Sequence, residues 1–210
     1  MNDANYQPLA DITWYQNKLR YATLHNYWTH YVNTDIRTDV NIGFEKIRVL
    51  LDYMRASPWI KWVWWTGTDS LITNFTIKIE DRIDDNYNII IANDVNGLNT
   101  DSMLFKNVPE THYYLFWVFD QEPRFRDNAW QEQGVIWESL GIEKYNQMIK
   151  QVPQRDMNSY QYSLYGLSPY DKLGNQGDWR PGDWLIHWAG TKLEQRLQLA
   201  DHYMKLVQYV

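Results

Sequence analysis

Trp62-Val63-Trp64-Trp65-Thr66-Gly67-Thr68-Asp69 is the stretch on which the reading of this chain turns. With Ile60 and Lys61 in front of it, the run is aromatic and β-branched, which is the composition of a buried strand. It stops at Thr66-Gly67-Thr68-Asp69, a turn that ends on a carboxylate. On its N-terminal side, residues 42–55 carry Ile42, Ile47, Leu50, Leu51 and Met54 at helical spacing. Ser57-Pro58 ends that helix, because a proline pushes the residue before it out of the helical region. Further out, residues 14–31 read as a helix with Leu19, Ala22 and Tyr27 on its buried side. Apolar runs at 89–92, 103–105 and 184–186 read as strands, and residue 191 to the end as a terminal helix. Helix, strand, acidic turn and further strands form an open α/β sheet. Ligands of such sheets bind beyond the carboxyl ends of the strands, so the Thr66–Asp69 turn is the first place to expect chemistry.

Composition narrows the field. The 210 residues suffice for one α/β domain with a sizeable core. There is no repeat, low-complexity tract or linker, so residues 1–210 read as a single domain or as a fragment of a longer protein. The 12 Trp and 16 Tyr serve as core and surface rings, or some of them as platforms for flat, partly apolar ligands such as sugar faces. A net charge of -6 speaks against nucleic acid as a partner, since a phosphate backbone needs a basic face. The absence of cysteine excludes disulfides, thiolate zinc sites and thiol nucleophiles. No apolar run is long enough to span a membrane, and the N-terminus lacks a signal-peptide pattern. The expectation is therefore a soluble, cytoplasmic chain. Asn74-Phe75-Thr76 matches a glycosylation sequon within an apolar stretch and reads as chance.

Two polar residues stand out at strand ends. Asp69 offers oxygen to a hard cation such as Mg²⁺ or Mn²⁺, or else serves only its own turn. His187 closes the 184–186 strand and offers imidazole to Mn²⁺, or else is a hydrogen-bonded core histidine. Lys192, five residues on, presents a point charge suited to a phosphate, or is a solvated helix lysine.

Their order and wording resemble glycosyltransferase family 34. The segment from Lys46 through Trp62-Val63-Trp64-Trp65-Thr66-Gly67-Thr68-Asp69-Ser70-Leu71-Ile72-Thr73-Asn74 is similar to that family's lysine, helix, proline and W-x-W-W-x-D-x-D-A-x-x-x-N pattern. Gly97-Leu98-Asn99-Thr100-Asp101-Ser102-Met103 is similar to its G-x-N-x-G-S-F segment, and Glu132-Gln133 to its acidic-Gln pair. Val152-Pro153-Gln154-Arg155 with Asn158-Ser159-Tyr160 resembles its late loop. Gly182-Asp183 through His187-Trp188-Ala189-Gly190 resembles its G-D-x-x-x-H-F-A-G-C ending. Asn17-Lys18, Tyr21-Ala22 and His25-Asn26-Tyr27 resemble its N-K-x-x-Y-A-x-x-H-G-Y start. The likeness runs along nearly the whole chain.

The resemblance implies a GT-A fold: a single-domain, Rossmann-like α/β nucleotide-sugar-binding domain, with a mixed central sheet flanked by helices. It implies Asp69 and His187 as ligands of Mn²⁺ or Mg²⁺, and Lys46 and Lys192 facing the donor diphosphate. Thr68 would place its backbone near the ribose, and Asn99 and Gln133 would lie near the transferred sugar. A UDP-sugar is the expected donor and a carbohydrate the acceptor. Retention of anomeric configuration follows, with Glu132 as the fallback nucleophile or base.

The departures are specific. Gly67 stands where the first Asp belongs, Gln131 where some members have a further Asp, and Thr191 where a Cys is usual. The strand that precedes Tyr6-Gln7-Pro8-Leu9 in the family is not found. Gly67 either serves a backbone angle that glycine alone adopts easily, or marks a missing carboxylate. On the second reading Gly67→Asp tightens binding of Mn²⁺ with nucleotide. The rival functional readings are a non-catalytic sugar- or nucleotide-binding module, and a structural subunit of a glycosyltransferase complex.

Overall fold

The computed structural model describes residues 4–33 and 37–209. The N-terminal helical run covers residues 7–25. It comprises a turn of α-helix, α1 (Gln7–Ala10), a π-helical stretch (Asp11–Lys18) and α2 (Leu19–His25). Asn26 ends the run in the left-handed conformation at φ 59°, where its N–H bonds to Thr23 O and the Tyr27 N–H to Ala22 O. This pair of bonds closes a helix C-terminus and turns the chain away. The helix expected over 14–31 therefore begins earlier and stops at His25. The run buries Leu9, Ala10, Thr13, Asn17, Lys18, Tyr21 and Ala22, while Leu19 is half-buried and Tyr27 lies beyond the end.

Helix α3 (Ile42–Ala56) is where the spacing placed it, capped by Asn41 Oδ1 accepting from Gly43 N at 3.0 Å. Ile42 is exposed, and Phe44 joins Ile47, Leu50, Leu51 and Met54 in the core. Strand β1 (Trp62–Thr66) follows, then β2 (Ser70–Ile72), β3 (Ile89–Asp94) and β4 (Gly97–Lys106). Helices α4 (Pro109–Asp120), α5 (Glu122–Phe125), α6 (Gln131–Ser139) and α7 (Glu143–Asn146) lead to β5 (Ile149–Val152). After α8 (Gln154–Met157) come β6 (Leu185–His187) and α9 (Leu193–Met204). The terminal helix is thus shorter than expected. Residues after it pair with the chain through Phe75 N to Gln208 O at 2.8 Å, and Val210 lies outside the described residues.

The central sheet has the order β1-β4-β3-β5. Strand β4 runs against its two neighbours, and β5 is parallel to β3. Period-two alternation divides the sheet between two cores. Ile89, Ile91, Met103 and Phe105 face α3, α4 and α6; Ile90, Ala92 and Leu104 face Tyr21, Phe75, Trp184 and Leu185. Both faces are covered, which is why β3 reads as an unbroken apolar run. Strand β1 lies at the sheet edge, so Trp62 to Thr66 are half-buried rather than buried. A second, two-stranded sheet pairs β2 with β6 antiparallel. Asn74, in the sequon, is buried and donates to Gly182 O at 3.0 Å, a place unsuited to a glycan.

Candidate metal and donor site

Two features of backbone register assemble the site. The β2–β6 ladder sets Ser70 opposite His187, which brings the preceding Asp69 against the histidine, and Trp188 N donates to Asp69 O at 3.0 Å. Between β3 and β4 the register jumps: Ile91 pairs with Met103 but Ala92 with Asn99. Residues 100–102 therefore bulge out of the β3 ladder, and Asp101 is carried to the same place. Asp69, Asp101 and His187 each offer a ligand atom, and these atoms lie within 4.8 Å of one another. His187 Nε2 is 3.5 Å from Asp69 Oδ2 and 4.0 Å from Asp101 Oδ1.

The surroundings point His187 at the carboxylates. Its Nδ1 donates to Asn158 Oδ1 at 2.9 Å, which leaves Nε2 facing the acids. The Tyr160 ring packs edge-on at 5.4 Å. Burial disfavours charge on both His187 and Asp69, but their mutual attraction prevails. Asp101 and Asp69 push the imidazole pKa up, and His187 and Arg196 hold the Asp69 carboxyl well below its usual range. Arg196 Nη2 reaches Asp69 Oδ2 at 2.8 Å. Lys18 is buried beneath the site, donating to Ser70 O; desolvation lowers its pKa to about 8, against the pull of Asp101 and Asp69.

The residues fit a divalent cation on three observations. The donor set is two carboxylates and an imidazole, as suits Mn²⁺ or Mg²⁺. Asp101 Oδ2 is buried with no hydrogen-bond partner. The separations of 3.5 and 4.0 Å match ligands about 2.1 Å from a shared centre, which sit roughly 3 to 4.2 Å apart.

A groove of about 520 Å³ runs along β1, walled by Trp14, Tyr31, Tyr53, Trp59 and Trp64, and it reaches Thr66, Gly67 and Thr68. Some of the aromatic residues thus form an open face beside the turn. Thr68 O accepts from Thr13 Oγ1 at 2.8 Å, tying the turn to the π-helical stretch.

The remaining expected residues fall into separate groups. Lys46 Nζ lies 2.5 Å from Glu132 Oε1 and 3.0 Å from Thr100 O, and Thr100 Oγ1 donates to Glu132 Oε1 at 2.8 Å. The lysine expected to face a diphosphate is therefore committed to a buried ion pair. Gln133 Oε1 is 3.5 Å from Thr100 Oγ1, at the edge of this group. A Cβ built at Gly43 would lie 1.7 Å from Glu132 Oε2, so a larger residue where α3 meets α6 would have to displace the paired carboxylate. Asn99 Nδ2 donates to Asp94 Oδ2 at 2.8 Å and to Tyr160 Oη at 2.7 Å, and its Oδ1 accepts from Asp101 N at 2.9 Å. Its side chain is spent on holding the bulge. Lys192 is exposed at the start of α9, in the loop after His187.

Sequence reasoning quoted Lys18, Asp101 and Asn158 within family-like segments without giving them a site role, and passed over Arg196. The polar run Asn99-Thr100-Asp101-Ser102, ahead of apolar Met103-Leu104-Phe105, is the local signal of the bulge. The backbone-angle reading of Gly67 does not hold. Its φ is not among the positive values, and a Cβ there would lie 1.8 Å from Asp101 Oδ1. The space is filled by another carboxylate.

Among known proteins, residues 2–87 match the model of the galactosyl transferase GMA12/MNN10 family. Two Schizosaccharomyces pombe proteins are similar along most of the chain: probable alpha-1,2-galactosyltransferase gmh2, 25% identical over 86% of this chain and 60% of its own, and gmh1, 24% identical over 87% and 63%. The chain thus spans about three-fifths of the length of these relatives. A solved glycosyltransferase involved in glycosylation of the major capsid of PBCV-1 superposes with TM-score 0.66 at 14% identity, covering 92% of each chain. Galactosyltransferase LgtC, solved with donor and acceptor sugar analogues, gives 0.57 at 12% identity, covering 100% of this chain and 95% of its own. These likenesses show the GT-A glycosyltransferase fold, and by sequence residues 2–87 are similar to the galactosyl transferase GMA12/MNN10 family.

Proposed function

We propose that this chain is a glycosyltransferase that moves a sugar from a nucleotide-sugar donor, UDP-linked, to a carbohydrate acceptor with retention of configuration, using Mn²⁺ or Mg²⁺ held by Asp69 and His187. The observation that carries the reading is the convergence of these two residues at the carboxyl end of β1, with His187 Nδ1 tied to Asn158 and Nε2 turned toward the acids. When bound, the cation supplies positive charge to the departing diphosphate.

The chain's own residues do the rest. The aromatic groove along β1 takes the flat parts of the donor and excludes water. Exposed Lys192, at the start of α9, is free to swing toward phosphate oxygens, and Arg196 sets the orientation of Asp69. Glu132 is a buried carboxylate that accepts from Lys46 and Thr100. It is the fallback base or nucleophile, with Gln133 near it across Thr100; Asn99, which would lie near the transferred sugar, is held by Asp94 and Tyr160. The bond to the sugar breaks with oxocarbenium character, and the acceptor hydroxyl attacks on the face the diphosphate leaves.

Arg196 also supports a second reading, because it satisfies Asp69 without any cation, as a non-catalytic binding module would require. A screen of UDP- and GDP-sugars for release of nucleoside diphosphate, with and without Mn²⁺, separates the two. Mn²⁺-dependent release that disappears in Asp69→Ala and His187→Ala supports the enzyme. Nucleotide binding with no release across donors and acceptors supports the module.

A further inference from the structure

We infer that Asp101 is a third protein ligand for the divalent cation, a carboxylate moved from the turn after β1 to the facing strand β4. The inference rests on the reading that Asp69 and His187 hold that cation. In sequence, Gly67 occupies the position of an expected Asp, while Asp101 occupies the position of the second glycine in the segment similar to G-x-N-x-G-S-F. In space the two positions face each other. Thr66 pairs with Ser102, and Gly67 N donates to Asp101 O at 3.2 Å. A Cβ at Gly67 would lie 1.8 Å from Asp101 Oδ1 and 3.0 Å from Asp69 Oδ1. A side chain at 67 and the carboxylate of Asp101 therefore claim the same volume, next to the same Asp69 oxygen. Glycine at 67 is not required by a left-handed backbone, since its φ is not positive. What it provides is room for Asp101.

The carboxylate is also held in place as a ligand would be. Asn99 Oδ1 accepts the Asp101 N–H, Asp94 and Tyr160 anchor Asn99, and Tyr160 packs on His187. Asp101 Oδ1 sits 4.0 Å from His187 Nε2, and its buried Oδ2 has no partner. A buried carboxylate oxygen without a hydrogen-bond partner, beside a second carboxylate, is unfavourable unless a cation joins them. The competing role is that of counter-charge to buried Lys18, which predicts a purely structural effect.

Titration of Mn²⁺ alone into the full chain, followed by loss of the free-ion EPR signal, tests the assignment, with melting temperatures in EDTA measured alongside. Asp101→Asn is expected to weaken Mn²⁺ affinity at least tenfold with little change in the metal-free melting temperature. Gly67→Asp alone is expected to bind no tighter than wild type, because it displaces Asp101. Gly67→Asp with Asp101→Gly restores affinity to within about threefold of wild type by returning the carboxylate to the turn. Wild-type affinity in Asp101→Asn, with binding lost in Asp69→Asn and His187→Ala, overturns the inference while leaving the two-ligand site intact. A lower metal-free melting temperature with unchanged affinity overturns it in favour of the Lys18 counter-charge. A wild-type chain that binds no Mn²⁺ overturns both readings together.

Discussion

Lys46 is the residue whose sequence role and structural role diverge most, and replacing it tests the structure directly. If Lys46 faced solvent and a diphosphate, Lys46→Ala would leave stability nearly unchanged. The structure instead places its ammonium 2.5 Å from Glu132 Oε1, with the two side chains 10% and 7% exposed. Removing one partner leaves the other as a buried, unpaired charge, which destabilises by about 3–5 kcal/mol. Thr100 softens the loss, since it still donates to the stranded carboxylate. In a chain of this size each kcal/mol moves the melting temperature by about 2–4 °C. Lys46→Ala should thus melt roughly 6–20 °C below wild type. Exposed Lys192→Ala should stay within about 0.5 kcal/mol of wild type. Differential scanning calorimetry on both single variants, Glu132→Gln and the Lys46→Met/Glu132→Gln double variant is the assay. The double variant should recover much of the loss, because neither charge is then stranded. Equal melting temperatures for Lys46→Ala and Lys192→Ala, or strictly additive losses in the double variant, would refute the buried pair.

Three further outcomes follow from the site. Gly43→Ala should lose about 1–3 kcal/mol in urea unfolding, since its Cβ meets the paired carboxylate of Glu132 at 1.7 Å; a loss below about 0.5 kcal/mol would show that the Glu132 side chain shifts easily. Lys18, with its pKa lowered to about 8 from 10.5, releases its proton earlier in the folded chain than in the unfolded one. The unfolded state therefore binds more protons between those values, and stability rises with pH there by up to about 3 kcal/mol. The gap between wild type and Lys18→Met should move by this amount in wild type's favour from pH 7.5 to 10, and a flat difference contradicts the burial. Asn158→Ala should weaken Mn²⁺-dependent UDP binding about tenfold or more by freeing the His187 ring, and calorimetry giving wild-type affinity would rule out that orienting role.

What could be read from the chain, and what could not, divides along physical lines. Strand β3 was legible as an unbroken apolar run, buried on both faces, and the core face of α3 because its burial repeats with the period of the helix. Strands β2 and β5 were not. Ser70-Leu71-Ile72 is too short to show a period, and Ile149-Lys150-Gln151-Val152 owes its place to β3 rather than to its own pattern. The end of the first helix was misplaced because one left-handed residue, Asn26, outweighs the apolar residues beyond it. In the site, Asp69 and His187 were found through their place in a family-like order, yet what brings them together is the β2–β6 register, a pairing of distant segments with no local trace. Asp101 depends on a further non-local fact, the jump in the β3–β4 register that swings residues 100–102 out of line. The Gly67 substitution shows the consequence. Read along the chain, it is a lost carboxylate. Read across the β1–β4 ladder, it is one half of an exchange whose other half lies on the neighbouring strand. A motif position can therefore be vacated without the site losing its charge, provided the strand alongside is close enough to fill it. Judging such a departure requires the sheet register as well as the motif.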